Sequence, residues 1–414
     1  MDFPSINFAR LKQDIQSLSE IGRRADNGIF RMAFTPGDME ARAWLETRIR
    51  ESGLEVYVDG AANVHARLGW DGERASVMTG SHMDTVPGAG HLDGALGVLA
   101  GLECLRCIKE RNIPLRLPLE SVAFTDEEGR FGGMFGSRAL CGQLTPGGIA
   151  QARDLRGTPL IDVMAEQGLD AMDALHAQRS PESISAFVEL HIEQGPVLDR
   201  QRLHLGVVDA IAGLFKWQVR LIGEANHAGT TPMNMRRDAF QGLAELSGEL
   251  PRILEENGSP RSVATIGRVD LFPAVANVVP GRAEFTLDVR DTDPVILGQL
   301  ADAFRRSLSA IARRRELMFE FDVVSELAPV KCDVGIVGSM SALCRRMGVE
   351  ATRMHSGAAH DTQIMATITR AGMIFVPSKE GRSHSPSEWT AWDDVETGAN
   401  VLLNTLCRLA GEIA

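Results

Sequence analysis

Apolar residues recur at helical spacing from the start of the chain. Phe8, Leu11, Ile15, Leu18 and Ile21 predict an amphipathic helix over 7–24. Thr35-Pro36-Gly37-Asp38 opens a second helix over 39–52, with Gly53 as its C-terminal stop. Short apolar runs at 54–58, 64–68 and 76–79 predict strands, and an apolar stretch over 95–109 predicts a buried helix. Another buried-type strand follows at 118–125, ending on Asp126-Glu127-Glu128. The alternation of strand, polar loop, helix and strand is α/β grammar, which places chemistry at the carboxyl ends of strands. Residues 148–180 read as helical and polar, and an apolar run at 187–192 returns to strand.

The period then changes. Trp217, Val219 and Leu221 alternate with polar neighbours in 216–223, the pattern of a half-buried strand. A helix over 237–254, strands at 262–271 and 282–290, a helix over 294–314 and a strand at 317–324 complete a β-α-β-β-α-β order. That order is the split βαβ, ferredoxin-like arrangement, with helices on one face of an antiparallel sheet. The pattern predicts an inserted domain over 213–327, with 1–212 and 328–414 as the two parts of the surrounding domain. In the second part, 334–347 reads as helix, 355–371 as loop and helix, 373–377 as strand and 392–410 as a closing helix.

A length of 414 residues agrees with two domains. The 43 basic and 55 acidic residues leave a net charge of −12, which argues against nucleic acid or an anionic membrane as partner. No apolar stretch is long enough to cross a bilayer, and Met-Asp-Phe-Pro-Ser lacks the features of a secretory signal. Six cysteines in so long a chain are no disulfide framework, and Cys104 and Cys107 fall in an apolar helix pattern. The expected location is the cytoplasm.

Candidate chemistry is concentrated after the strands. His82, Asp84 and Asp93 lie in a glycine-rich segment; Glu127 and Glu128, His191 and His384 follow, one or two per segment. Imidazole and carboxylate are ligands for zinc and its borderline neighbours. Alone, each has a plainer reading: a turn histidine, a solvated acidic pair, a core histidine, an exposed loop histidine. As a set they have the number and type of a metal site assembled by a fold. In an extended run, His82 and Asp84 point the same way, so Asp84 would steady the imidazole. In the inserted domain His227, Asn277 and Arg290 form a different set, suited to gripping a carboxylate and a carbonyl.

Several segments together resemble the hydantoinase/carbamoylase type of dinuclear metal amidohydrolase. They are Ser81-His-Met-Asp-Thr85, Asp93-Gly94, Asp126-Glu-Glu-Gly129, Glu189-Leu-His-Ile-Glu-Gln-Gly-Pro196, His227-Ala-Gly-Thr-Thr-Pro-Met233, Ser356-Gly357 with His360-Asp361, and His384-Ser-Pro386. This family includes N-carbamoyl-L-amino-acid hydrolases, allantoate amidohydrolases and β-ureidopropionases. Peptidase relatives carry a carboxylate where His191 stands. The resemblance implies an α/β catalytic domain of di-zinc aminopeptidase type with an inserted α+β lid and dimerisation domain. It implies two divalent ions, Zn2+ first, with Mn2+, Co2+ or Ni2+ as other occupants. His82 and His191 would hold one ion, Glu128 and His384 the other, and Asp93 would bridge them. Glu127 would be the general base for a bridging water, and His227 would stabilise the oxyanion.

Gln194, Asn277, Arg290, Ser356, Gly357 and Ala358 would bind the substrate, a ureido compound such as an N-carbamoyl-L-amino acid or allantoate. The expected assembly is a homodimer through the lid. A dipeptidase or aminoacylase on the same fold is the competing reading, and a catalytically silent scaffold would need a lost ligand or base. Two departures stand out. Ala358-Ala359 replaces the usual Ala-Gly, and His91 sits close to the ligands, although Asp93 holds the matching position.

Overall fold

The most continuously buried strands form the middle of a mixed sheet. The computed structural model describes residues 3–411. Leu119–Phe124, Ser76–His82, Ile184–Ile192 and Ala371–Val376 lie side by side in that order, all parallel. Residue after residue in these strands is buried, as expected where both faces of a parallel sheet are covered. Antiparallel strands flank them. Glu55–Val58 and Val64–Leu68 lie beyond Leu119–Phe124, and Leu205–Ile211 pairs with Ala371–Val376.

Helix Ala95–Glu110 packs on strand Ser76–His82 and is itself covered by Phe8–Glu20 and Trp392–Leu409. Residues Ala95 to Ile108 are all buried, including Glu103 and Arg106, which pair with Arg10 and Asp14, so this helix is covered on every side and not along one stripe. It starts at Gly94, whose φ is +65°. A Cβ there would meet the His82 ring at 2.5 Å, so glycine lets the helix begin directly against a candidate ligand.

The chain separates into two compact units. One runs to Asp209 and resumes over Cys332–Met354 and from His360; the other covers Ala210–Lys331 and His355–Ala359. In the second unit the strand order is Met318–Leu327, Gly213–Ile222, Arg282–Asp291, Val263–Phe272, all antiparallel. Helices Ala239–Asn257 and Pro294–Arg314 supply the other half of its core. Ala283, Phe285, Leu287 and Val289 are fully buried while the residues between them are not, so one face of this sheet is covered. This is the ferredoxin-like order that the alternating pattern implied.

Some local expectations change. Residues 148–180 are less polar in effect than in composition. Short helices Pro146–Gln151 and Leu160–Glu166 and the 3-10 turn Ala171–His176 bury Ile149, Leu160, Val163, Met164 and Ala174 against Phe34, Phe131 and Phe135. Strands Leu205–Ile211 and Ala351–Ser356 were not expected from the pattern. The first carries Gly206, where Met354 and Phe375 approach too closely for a side chain, and the second is half exposed with little apolar signal. No described helix is long and apolar enough to cross a membrane.

Candidate metal centre

Each candidate ligand in the first unit sits at or just beyond the carboxyl end of one of the four parallel strands. His82 is the last residue of its strand, His191 the penultimate residue of its own, and Glu127 and Glu128 follow Phe124. His384 lies beyond strand Ala371–Val376. Because neighbouring strands are parallel and in register, residues far apart in sequence arrive at one edge.

Two groups of ligand atoms converge there and share Asp93: His82, Asp93 and His191, and Asp93, Glu128 and His384. His191 Nε2 lies 3.3 Å from Asp93 Oδ1, and His384 Nε2 lies 3.0 Å from Asp93 Oδ2 and 3.5 Å from Glu128 Oε1. His82 Nδ1 donates to the Asp84 carbonyl at 3.0 Å, and His191 Nδ1 donates to the Ile192 carbonyl at 2.9 Å. With each Nδ1 proton so fixed, the Nε2 lone pairs face the centre, the tautomer a metal needs.

Asp84 acts on His82 through its backbone oxygen; its carboxylate lies 3.9 Å from the ring. That carboxylate instead accepts the backbone N–H groups of Glu127 at 3.3 Å and Glu128 at 3.1 Å. Asp126 completes the turn by accepting from Arg130 and Phe131 N–H at 2.7 and 2.9 Å. Asp126, Gln194 and His384 all have positive φ without being glycine, local strain of the kind found at functional sites.

The donor set fits divalent cations. Glu128 Oε1 is buried with no hydrogen-bond donor. Burial, then Glu128, Asp361, Asp84 and Asp93, push the Glu127 carboxyl well above its usual range. Burial and Asp93 push Glu128 up to about 8, and burial lowers His82 to about 4. His384 rises to about 9 through its hydrogen bond to Asp93. Asp93 is itself held below the carboxylate range, the His384 bond and the three histidines outweighing burial. A crowd of buried carboxylates facing buried imidazoles is the environment that positive ions stabilise. His91 belongs to neither group: its ring packs 5.8 Å from Trp389.

Other residues that support the centre carried little signal in the sequence. Glu388 Oε1 accepts the backbone N–H groups of Leu92 and Asp93 at 2.8 and 3.1 Å, while Ser383 Oγ lies 3.1 Å from both Glu388 Oε2 and Asp93 Oδ2. Glu189, two residues before His191 on the same face of their strand, accepts from Ser81 Oγ at 2.6 Å and Thr362 N at 3.0 Å, and its carboxylate lies close to His191 and His360. The His360 ring stands edge-on to His191, centroids 4.6 Å apart. Gln194 reaches Asp93, its Nε2 lying 3.1 Å from each carboxylate oxygen.

The second unit gathers the other candidates. His227 pairs with Val278 in a two-residue ribbon, and Ala228 N donates to the Asn277 carbonyl at 2.8 Å, so His227 and Asn277 are neighbours. His227 Nδ1 accepts the N–H groups of Gly229 and Thr230 at 3.1 and 3.2 Å. A neutral ring then carries its proton on Nε2. Arg290 is gripped by both Asp288 oxygens, at 2.9 and 3.2 Å, and donates to the Gly357 carbonyl at 2.7 Å. Ser356 Oγ accepts from Ala358 N at 3.1 Å, which closes the Ser356–Ala358 turn beside Arg290.

Known proteins resemble this chain over nearly its whole length. Residues 78–408 match the model of peptidase family M20/M25/M40. An N-carbamoyl-L-amino acid amidohydrolase of Geobacillus stearothermophilus is 39% identical, covering 97% of this chain and 98% of that protein. An allantoate amidohydrolase of Escherichia coli is 36% identical over 97% of each chain. Among solved structures, an amidase of the hydantoinase/carbamoylase family from Burkholderia multivorans superposes with a TM-score of 0.91 at 32% identity, covering 99% of this chain and 100% of that one. The chain belongs to peptidase family M20/M25/M40, in its hydantoinase/carbamoylase branch.

Proposed function

We propose that this protein is a metal-dependent amidohydrolase that cleaves a linear C–N bond of a ureido compound, an N-carbamoyl-L-amino acid in the first instance. The observation that carries the reading is the pair of ligand groups sharing Asp93, with Glu127 beside them and His82 Nε2 3.5 Å from Glu127 Oε2. The near full-length likeness to N-carbamoyl-amino-acid amidohydrolases supports the substrate class. Allantoate is the second reading, favoured by the similar identity to allantoate amidohydrolases.

In this reading His82, His191 and Asp93 hold one divalent ion, and Asp93, Glu128 and His384 the other, zinc being our first assignment. Bound there, the ions supply Lewis acidity toward the scissile carbonyl and the attacking water. Glu127 takes the water's proton and returns it to the leaving nitrogen. Asp84 keeps Glu127 and Glu128 aimed through their backbone N–H groups. His227, with its proton on Nε2, donates to the developing oxyanion. Arg290 and Asn277 bind the substrate carboxylate, with Gln194 and Ser356–Ala358 as further contacts.

We place the domain boundaries at 213 and 327, with the inserted domain as lid and dimerisation module. Its edge strand Val263–Phe272 is ten residues long and leaves Val263, Val269 and Phe272 exposed, a surface suited to pairing with a second copy. Six buried cysteines, none of them in a disulfide, suit a reducing compartment, and we assign the protein to the cytoplasm.

The test is ammonia release from N-carbamoyl-L-amino acids, allantoate, ureidopropionate and dipeptides after defined metal loading. Turnover of carbamoyl amino acids that a chelator abolishes and metal restores is the expected result. Cleavage of dipeptides alone would overturn the reading.

A further inference from the structure

A cavity of about 580 Å3 adjoins the candidate metal centre within the first unit. Part of its lining is Asp84–Pro87 and Glu128–Arg130, the segments that follow strands Ser76–His82 and Leu119–Phe124. The loop before helix Pro36–Glu51 and the turn around Leu155 supply the rest. Glu128 belongs both to this lining and to the ligand group Asp93, Glu128 and His384, so the cavity starts where that group ends. Its volume is that of a small-molecule site, about 300–1,000 Å3.

Met32, Ala33, Val86, Pro87 and Leu155 give the cavity apolar walls. Most polar side chains of the lining are already engaged. Thr35 Oγ1 donates to the Met32 carbonyl at 2.7 Å, and Thr85 Oγ1 accepts the Arg31 N–H at 3.0 Å. Arg130 donates to the Ala33 carbonyl at 2.5 Å and to Asp154 Oδ2 at 3.4 Å. Asp154 Oδ1 accepts Arg156 N and Thr158 N, both at 2.9 Å, while the Asp84 carboxylate is taken by the N–H groups of Glu127 and Glu128. Leu155, at the tip of the turn that Asp154 closes, is fully exposed, an apolar side chain left uncovered at the cavity's edge. An occupant with carbon surface to bury gains here, and one with N–H and C=O groups finds few partners.

We propose that this cavity receives the side chain on the α-carbon of an N-carbamoyl-L-amino acid and selects large apolar side chains, aliphatic or aromatic. Only two bonds separate the carbamoyl carbon from the α-carbon. A substrate whose carbamoyl group sits beside Glu128 therefore carries its side chain to the mouth of the cavity. Allantoate bears a second ureido group on the corresponding carbon, and its N–H and C=O groups would go unpaired among these walls. The proposal rests on the amidohydrolase reading above and chooses between its two substrates.

The test is kcat/KM of the metal-loaded protein for N-carbamoyl-glycine, N-carbamoyl-L-leucine, N-carbamoyl-L-phenylalanine and allantoate, with metal content measured for each variant. Wild type is expected to prefer the leucine and phenylalanine derivatives over the glycine derivative by roughly 10- to 100-fold, and over allantoate by at least as much. Val86→Trp, which fills the cavity from its wall, should lower kcat/KM for the phenylalanine derivative at least tenfold more than for the glycine derivative. Leu155→Ser, a change at an exposed position, should reduce the phenylalanine-to-glycine ratio by about threefold. Equal rates on the glycine and phenylalanine derivatives in wild type overturn the proposal and leave the amidohydrolase reading standing. An equal fall on both substrates in Val86→Trp, with metal retained, overturns it too; if that variant loses metal, an unchanged ratio in Leu155→Ser does so instead. Preference for allantoate over every N-carbamoyl amino acid likewise overturns it. Failure to hydrolyse either class removes the amidohydrolase reading as well.

Discussion

The same side chain is prepared for opposite chemistry in the two units. At the candidate metal centre, His82 and His191 are buried and donate from Nδ1 to backbone carbonyls, which leaves Nε2 as a lone-pair donor. In the inserted unit, His227 is exposed and its Nδ1 accepts two backbone N–H groups, which leaves Nε2 carrying the proton. Local backbone geometry decides which nitrogen is basic, and so whether a histidine is suited to be a ligand or a hydrogen-bond donor. Burial separates the two cases further. The centre's groups are held by the middle of a sheet covered on both faces, while His227 rides on a two-residue ribbon.

The contrast can be broken from either side. Glu127→Gln keeps the shape of the base but removes its proton affinity, so kcat is expected to fall by about 10²–10⁴-fold with metal content unchanged. Retained activity with both ions bound would remove Glu127 from the mechanism. His227→Ala is expected to lower kcat by about 10²–10³-fold, again without loss of metal. His227→Gln, which keeps an N–H donor, should recover part of it. Loss of metal in either His227 variant would mean that the histidine is no mere donor.

Arg290→Lys tests the grip on a substrate carboxylate. The planar fork now held by Asp288 becomes a point charge, and KM should rise by roughly tenfold while kcat changes little. A dominant fall in kcat would place Arg290 nearer the reacting atoms.

The smallest expected effect lies away from both sites and appears in stability. His65 is buried between Asp59 at 3.3 Å and Glu120 at 3.0 Å, with the Tyr57 ring and Arg67 nearby. Burial opposes its charge, but the bonds to Asp59 and Glu120 outweigh it and raise its pKa to about 9. A raised histidine pKa contributes stability fully below its unfolded value near 6.5 and loses it as pH climbs through 9. Wild type should therefore lose on the order of 1–3 kcal/mol between pH 6 and pH 10 that His65→Gln does not lose, measured by denaturant unfolding. Parallel pH dependence in the two proteins would show that His65 is neutral throughout.

Legibility in the sequence followed the strength of each periodic signal. The inserted unit was readable because one covered face makes Trp217, Val219 and Leu221, then Ala283 to Val289, alternate with polar residues. The central strands were readable as apolar runs. Strands Leu205–Ile211 and Ala351–Ser356 escaped because Gly206 and Asp209 interrupt the apolar run of the first and little apolar signal marks the second, so pairing with distant segments decides their state. The helices of 146–176 form a small core that polar composition concealed.

The sequence by itself determined the candidate ligand types, the α/β order with its insertion, and the motifs by which the family is known, because periodicity and local motif are written within a few residues. Tertiary structure alone decided which atoms meet. The second side chain of His82-Met83-Asp84 was expected to orient the first, and in the fold the backbone carbonyl does so while the carboxylate holds Glu127 and Glu128. Glu388, 295 residues from Asp93, fixes the backbone of that shared candidate ligand. Gln194 reaches both Asp93 oxygens from 101 residues away. Hydrogen bonds depend on positions within a few tenths of an ångström, and only parallel strands packed in register bring such distant residues that close.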